Sequence, residues 1–283
     1  MKKYNLITTA LLTLGLTACG AQNTNNKNIG AAVSAAPGAP GAEAYWAYAG
    51  KTGIGTSFEQ YQNGQYNNNA ATGEVSKVWF SIAKGMITET MFGLIHQAQI
   101  KDMQFVVTGK DFTVTEADDL DVTIDYLHKD DKGRPLSLAY KVTSTDKQGR
   151  FTLEKHIFTD PGGQTLFVRS IFNTSLKGMR AYVAVNPYIN NNGLGDFAKT
   201  TEQGLVAWED DNFLTLQSST PFKMQSVGFT GVSDGITSLK KQHTLSKQYS
   251  NTDDKAGNVT LLAELGNIDS NTTFDLALSF GKT

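Results

Sequence analysis

The chain is short of most of the residues on which catalytic or metal-binding chemistry is usually built. It has one cysteine in 283 residues, Cys19, so no disulfide can form within it and the fold must rest on core burial and β-ladder hydrogen bonds. It has four histidines, His96, His128, His156 and His243, and none is spaced three or four residues from another. A zinc site would therefore need ligands gathered from distant segments. Charged residues make up only 18%, against about 25% in typical soluble domains. The net charge is −2 and no basic patch stands out, which argues against a nucleic-acid partner. Helical periodicity is scarce, and no apolar run is long enough to span a bilayer. What the chain does have is 40% apolar and 10% aromatic residues, enough for a sizeable core, with Asn, Gln, Ser and Thr taking much of the remaining surface.

The N-terminus is an address. Lys2 and Lys3 precede a short apolar stretch from Leu6 to Leu16, and then comes Leu16-Thr17-Ala18-Cys19. Small residues before a cysteine resemble the lipobox of bacterial lipoproteins, in which the cysteine is lipidated and becomes the first residue of the mature chain. On that resemblance residues 1–18 are a signal peptide and Cys19 is the lipid anchor. With Gly20 and Ala21 following, the resemblance points to an exported protein held in the cell envelope, at the outer membrane. Residues 19–43 are rich in Ala, Asn, Gly and Pro and are expected to form a flexible tether.

From residue 44 to residue 283 the pattern is all-β. Val122, Ile124 and Tyr126 alternate with polar residues. Every second residue is likewise apolar at Leu136, Leu138, Tyr140 and Val142, then Val259, Leu261, Ala263 and Leu265, then Phe274, Leu276, Leu278 and Phe280. Turn residues separate such runs at Lys129–Gly133, Asp146–Gly149 and Asp160–Gly163. Short turns between strands imply an antiparallel meander, and the whole predicts one large domain of two packed sheets with few short helices. Short helices are expected over Lys84–Gln99 and Thr237–His243, and loop over Tyr45–Ala71.

Several motifs invite a chemical reading that their surroundings weaken. Gly231-Val232-Ser233-Asp234-Gly235 fits the nucleophile elbow of hydrolases, but that elbow sits above a parallel sheet, and here it reads as a Gly-rich turn. The acidic groups Asp118-Asp119-Asp121, Glu209-Asp210-Asp211 and Asp253-Asp254 read as solvated turns rather than glycosidase carboxylates. Asp196 closes the loop Asn190-Asn191-Asn192-Gly193-Leu194-Gly195. Oxygen-rich loops of this kind sometimes bind calcium, but the EF-hand spacing is missing and no metal or other cofactor is assigned. Gly53-Ile54-Gly55 lacks the rest of a dinucleotide motif. Trp46, Trp79 and Trp208 could stack on sugar rings or lie in the core.

Together, a set of blocks resembles bacterial glucoamylases and glucodextranases of glycoside hydrolase family 15. They are Pro37–Gly41 with Trp46 and Gly53–Thr56, Lys77–Glu89, Val185–Gly193 with Gly195-Asp196, Gly228–Gly235, Ala256–Val259 and Phe274–Gly281. Departures occur at Met91 and Phe92-Gly93-Leu94. The resemblance implies a super-β-sandwich that, in the family, precedes an (α/α)6 barrel. The barrel carries the two glutamates that invert the α-glucosidic linkage. It covers only the sandwich, so no catalytic residue is assigned here. The implied partners are an α-glucan and the catalytic barrel, and Trp79, Tyr188 and Trp208 are candidates for carbohydrate or domain contact. A stand-alone carbohydrate-binding or structural envelope lipoprotein is the alternative.

Overall fold

The computed structural model describes residues 33–45, 48–56, 60–62, 65–67, 76–92, 96–118, 120–160 and 163–282. Cys19, the signal peptide and Trp46 lie outside them. Two sheets form a sandwich. The ten-stranded sheet runs β1 (Val33–Ala35), β18 (Tyr249–Asn251), β14 (Phe197–Thr201), β15 (Gly204–Glu209), β16 (Asn212–Ser218), β20 (Thr272–Lys282), β12 (Thr165–Asn173), β11 (Thr152–Asp160), β10 (Tyr140–Asp146), β9 (Leu120–Tyr126). The eight-stranded sheet runs β17 (Met224–Phe229), β19 (Val259–Ile268), β13 (Met179–Pro187), β7 (Ile100–Thr108), β6 (Met86–Phe92), β5 (Val78–Ala83), β2 (Lys51–Thr56), with β8 (Thr113–Thr115) on β7. A small ribbon pairs β3 (Gln60–Gln62) with β4 (Gln65–Asn67). Neighbours are antiparallel except β1 and β18, which are parallel.

The core lies between the sheets, where inward rows from both meet: Phe80 and Ile82, Phe105 and Val107, Val183 and Val185 from one, Leu153 and Ile157, Leu276 and Leu278 from the other. The alternation of Phe274, Leu276, Leu278 and Phe280 places all four inward, as the period of two requires. A second apolar patch sits on the outer face of the eight-stranded sheet. There α1 (Gly235–Gln242) lays Leu239 on Val106, Tyr182, Ala184 and Leu262. That cover explains why β13 and β19 are buried on both faces. The helix falls where the sequence predicts one, over Thr237–His243.

Four expectations shift. Within Lys84–Gln99, read as a possible helix, Met86–Phe92 is strand β6, reached from β5 through Lys84-Gly85 with φ of 52° and 82°. Two positive φ values in a two-residue loop are the geometry that suits strand twist. Within Tyr45–Ala71, read as loop, Lys51–Thr56 is strand β2. Its Gly55 passes so close to β5 that a Cβ would lie 2.3 Å from the Phe80 ring. Leu136 and Leu138 precede β10 and are half-buried, while Ser137 and Ala139 point inward, so the alternation begins only at Tyr140. Last, the expected tether is seated on the domain from Val33 onward: β1 pairs with β18, Ala36 is buried and its N–H donates to the Asn251 carbonyl at 2.8 Å. Its residues before Val33 lie outside the described residues.

Candidate functional site

One end of the sandwich gathers segments far apart in sequence. Asn258 is its hub. Its N–H donates to the Pro40 carbonyl at 2.9 Å, its side-chain amide donates to the Ala42 carbonyl at 3.1 Å, and its carbonyl accepts from Thr230 N–H at 2.8 Å. Asn186, at the end of β13, donates its amide to Asn258 Oδ1 at 2.8 Å and to the Val259 carbonyl at 2.6 Å. Gly257 N–H donates to the Asp196 carbonyl at 3.0 Å. The loop 188–196 adds Asn191, whose Oδ1 accepts from Ala98 N–H at 2.8 Å. Four of the blocks singled out in the sequence, around Pro40, Asn186–Asp196, Thr230 and Asn258, thus form one hydrogen-bonded surface. Asparagine suits this work because its amide donates and accepts at once. Strand β20 ends here, with Lys282 opposite Asn212. Three of the exposed large apolar side chains, Tyr45, Leu194 and Val232, belong to these same segments.

Beside this hub stand two carboxylates. Asp196 immediately precedes Phe197 and Glu209 immediately follows Trp208, the pair at the end of the β14–β15 ladder, and the charge of Glu209 acts on Asp196. Asp196 is fully buried. Its Oδ1 accepts from Ile189 N–H at 3.2 Å, and its Oδ2 has no hydrogen-bond partner. Glu209 Oε1 accepts from the Asn192 amide at 2.5 Å, and its Oε2 is buried without a partner. Asn212, opposite Glu209 on β16, donates to Asn190 Oδ1 at 2.6 Å. Burial, with the charge of Glu209 adding to it, pushes the Asp196 carboxyl well above the usual carboxylate range. Burial, opposed by the Asn192 amide, also raises Glu209. A Cβ at Gly195 would lie 1.8 Å from Glu209 Oε1, so a larger residue there would have to displace the Glu209 side chain.

The three aromatic candidates all come to this end. Tyr188 lies over Gly193, where a Cβ would meet its ring at 2.5 Å. Trp208 stands between Phe197 and Phe213 on the outer face of the ten-stranded sheet, with ring centroids 5.7 and 6.4 Å away and planes tilted by 15° and 16°. Lys199 Nζ sits 5.5 Å above its ring. Trp79 is half-buried on β5 and pairs with Met91, which bridges to Ala98.

Farther along the same outer face, an open groove of about 550 Å³ is lined by His128, His156, Phe158, Phe167, Arg169 and Asp275, among others. Phe158 and Phe167 stack at 5.6 Å, and Arg169 forms a two-pronged pair with Asp275 at 2.7 and 3.0 Å. An aromatic face beside a planar polar fork is chemically suited to a ring that is apolar on its faces and hydroxylated at its rim. Sequence reasoning missed this groove. Its signal was Phe158 and Phe167 on the outward rows of neighbouring strands.

Other motifs resolve as structure. Gly231–Gly235 does join a strand to a helix. However, Ser233 is buried and its Oγ accepts from Phe229 N–H at 2.9 Å, while Asp234 caps α1 by accepting from Thr237 N–H at 2.6 Å. His243 bonds Thr113 at 2.9 Å rather than Ser233. Asp118 pairs with Lys240 at 3.0 Å on the surface. Asp210 and Asp253 occupy turns with positive φ. Glu209 departs from the solvated-turn reading because one of its oxygens is buried. Among the described residues no group of three or more His, Cys, Asp or Glu gathers to hold a metal.

Comparison with known proteins points one way. The family model described as "Glucodextranase, domain N" matches residues 36–283. A glucoamylase from Clostridium sp. (strain G0005) is 33% identical over 252 residues, covering 86% of this chain and 32% of the relative. A crystal structure of a bacterial glucoamylase complexed with acarbose superimposes with a TM-score of 0.74 at 32% identity, covering 89% of this chain and 35% of that one. The chain thus spans about a third of the length of these relatives. By the extent of the family match, residues 36–283 and the sandwich they build belong to the glucodextranase N-terminal domain family.

Proposed function

We propose that this chain acts as the N-terminal sandwich of a glucoamylase- or glucodextranase-type α-glucan hydrolase, bracing a catalytic (α/α)6 barrel and shaping one wall of its substrate entrance. The carrying observation is the asparagine-rich end, where Tyr45, Leu194 and Val232 are 62%, 46% and 55% exposed beside the end of β20. Apolar side chains held out by a rigid hydrogen-bonded frame suit a contact with another domain. The sandwich itself carries out no bond cleavage in this reading. The purified chain is expected to release no glucose from soluble starch or isomalto-oligosaccharides. Mixed with the catalytic domain of the related Clostridium glucoamylase, it should raise that domain's Tm, and a Leu194→Ser/Val232→Ser variant should not. Glucose release by the chain alone, or equal effects of chain and variant, would refute the reading.

The Phe158–Phe167 groove supports a second role, direct α-glucan binding. Slowed migration in starch- or dextran-containing native gels, lost in Phe158→Ala, would show it. We further propose that the chain is exported and lipid-anchored through Cys19 in the cell envelope, at the outer membrane. The support is the Leu16-Thr17-Ala18-Cys19 sequence after a short apolar stretch. Cys19→Ala should move the protein from the membrane fraction to the soluble one.

A further inference from the structure

We infer that Asp196 and Glu209 are ligands of a divalent cation of the calcium type, bound at the asparagine-rich end of the sandwich. The observation that carries this is Asp196 itself. It is 0% exposed, and its Oδ2 is buried with no hydrogen-bond partner. At the same end of the β14–β15 ladder, and close enough for its charge to act on Asp196, Glu209 Oε2 is also buried and unpartnered. Like charges close together disfavour each other's charged form. A buried carboxylate needs a counter-charge or a full set of donors. Among the described residues neither has an ion-pair partner: the donors facing them are the Ile189 N–H and the amides of Asn192 and Asn190, all neutral. A cation between the two carboxylates would satisfy both orphan oxygens and turn their repulsion into shared attraction.

The donor chemistry selects the ion. Two carboxylates stand with the amides of Asn190, Asn192 and Asn212 and the backbone of loop 188–196, and no histidine or thiol is part of the group. Oxygen-only sets suit hard cations, and a loop that can supply carbonyls suits the six to eight ligands calcium takes better than the strict octahedron of magnesium. The site would hold together the loop 188–196 and the β14–β15 hairpin, so its occupation would stiffen the surface proposed above for the neighbouring domain. The cation site does not depend on that role.

The test uses the full chain stripped with EDTA. Calcium added to about a hundred times its Kd should raise Tm by roughly 5–10 °C. Terbium should give luminescence sensitised by Trp208, which adjoins Glu209. Glu209→Gln and Asp196→Asn should each lose most of the calcium-dependent rise and most of the terbium signal. Each variant is read as its own difference with and without calcium, and where Asp196→Asn does not fold, the partly exposed Glu209 carries the comparison. A wild-type Tm unmoved by calcium and EDTA would overturn the inference, as would a terbium signal equal in wild type and Glu209→Gln. Stabilisation of the wild type only by lowering the pH would instead show that the two carboxyls share a proton.

Discussion

Replacing Lys155 with methionine probes a charge pair placed inside the core. Lys155 lies on the inward row of β11, between Leu153 and Ile157, and its side chain is 1% exposed. Its ammonium reaches across the sandwich to Glu116, also 1% exposed, and donates to the Gly85 carbonyl at 2.5 Å in the β5–β6 turn. Burial pushes the Lys155 ammonium below its ordinary value, and the charge of Glu116 opposes that shift. Methionine keeps the length of the side chain and removes the charge, so Glu116 is left buried without its counter-ion. Breaking a buried pair from one side costs about 3–5 kcal/mol. Glu116 keeps the Phe105 N–H at 2.8 Å and the Ser144 hydroxyl at 3.4 Å, which places the expected loss near the lower end, about 3 kcal/mol. In a domain of this size that is roughly 6–12 °C in Tm. Adding Glu116→Gln removes the stranded charge while leaving an acceptor for Phe105, so the double variant should recover more than half the loss. Urea unfolding of the two single variants and the double variant closes the cycle. A single-variant loss under roughly 1 kcal/mol, against the 3–5 expected of a truly buried pair, would refute the reasoning, as would a double variant as unstable as the sum of the singles.

Three further outcomes follow from the same packing. Burial alone would raise the Asp146 carboxyl, but Arg150, bonded to it at 2.6 and 2.7 Å, holds it below its ordinary value. A depressed carboxyl stabilises fully above its unfolded value, about pH 4, and that stability is lost as pH falls through the folded value. Asp146→Asn should therefore lower the urea midpoint at pH 7 by much more than at pH 2.5, and equal losses at both would count against the pair. Ser233→Ala strands the buried Phe229 N–H and should cost about 1–3 kcal/mol, with no esterase activity in either form. Calorimetry and an ester-hydrolysis assay check the two halves. Gly228→Ala places a Cβ 2.3 Å from the Ser233 carbonyl, a backbone atom that cannot swing aside. A loss of about 1–3 kcal/mol is expected, and unchanged stability would show that the strand-to-helix turn yields.

Legibility in the sequence tracked how local the cause was. The inward row Phe274, Leu276, Leu278 and Phe280 could be read directly because β20 is covered on one face and half-open on the other. In β13 and β19 the pattern blurs, since α1 covers part of the outer face and residues of both parities are buried. The start of β6 is hidden in a stretch that could hold a short helix, because the meaning of Lys84-Gly85 lies in two positive φ values, which an X-Gly pair permits without announcing. Gly53 and Gly55 suggested loop, yet they let β2 run against Phe80 and Tyr140. Lys155 breaks the apolar row Leu153–Ile157, and only the arrival of Glu116 from another sheet makes it tolerable. Such a residue cannot be placed until the tertiary partner is known.

The candidate site shows the same division. The blocks around Pro40, Asn186, Thr230 and Asn258 were each visible as short polar or glycine-rich sequences, but nothing in any one of them says that they meet. They meet because antiparallel strands return the chain to the same end at every second turn. The turns at Gly149, Gly178 and Asn271 fall at the other end, where Asn271 N–H bonds Asn173 at 2.9 Å. Those turns are short and set by glycine and asparagine in positive φ. The asparagine-rich end instead spends its polar groups on bonds between segments, which fixes a surface rather than closing a strand pair. The nearness of Asp196 and Glu209 follows from one further fact, the register of the β14–β15 hairpin. Its tight Thr201–Gly204 turn sets Phe197 opposite Trp208 and so brings the two acids to the same end of the ladder. Once that register is known, two residues that read separately as a loop end and a turn become a buried pair, and a buried pair of like charges needs a partner that neither residue supplies.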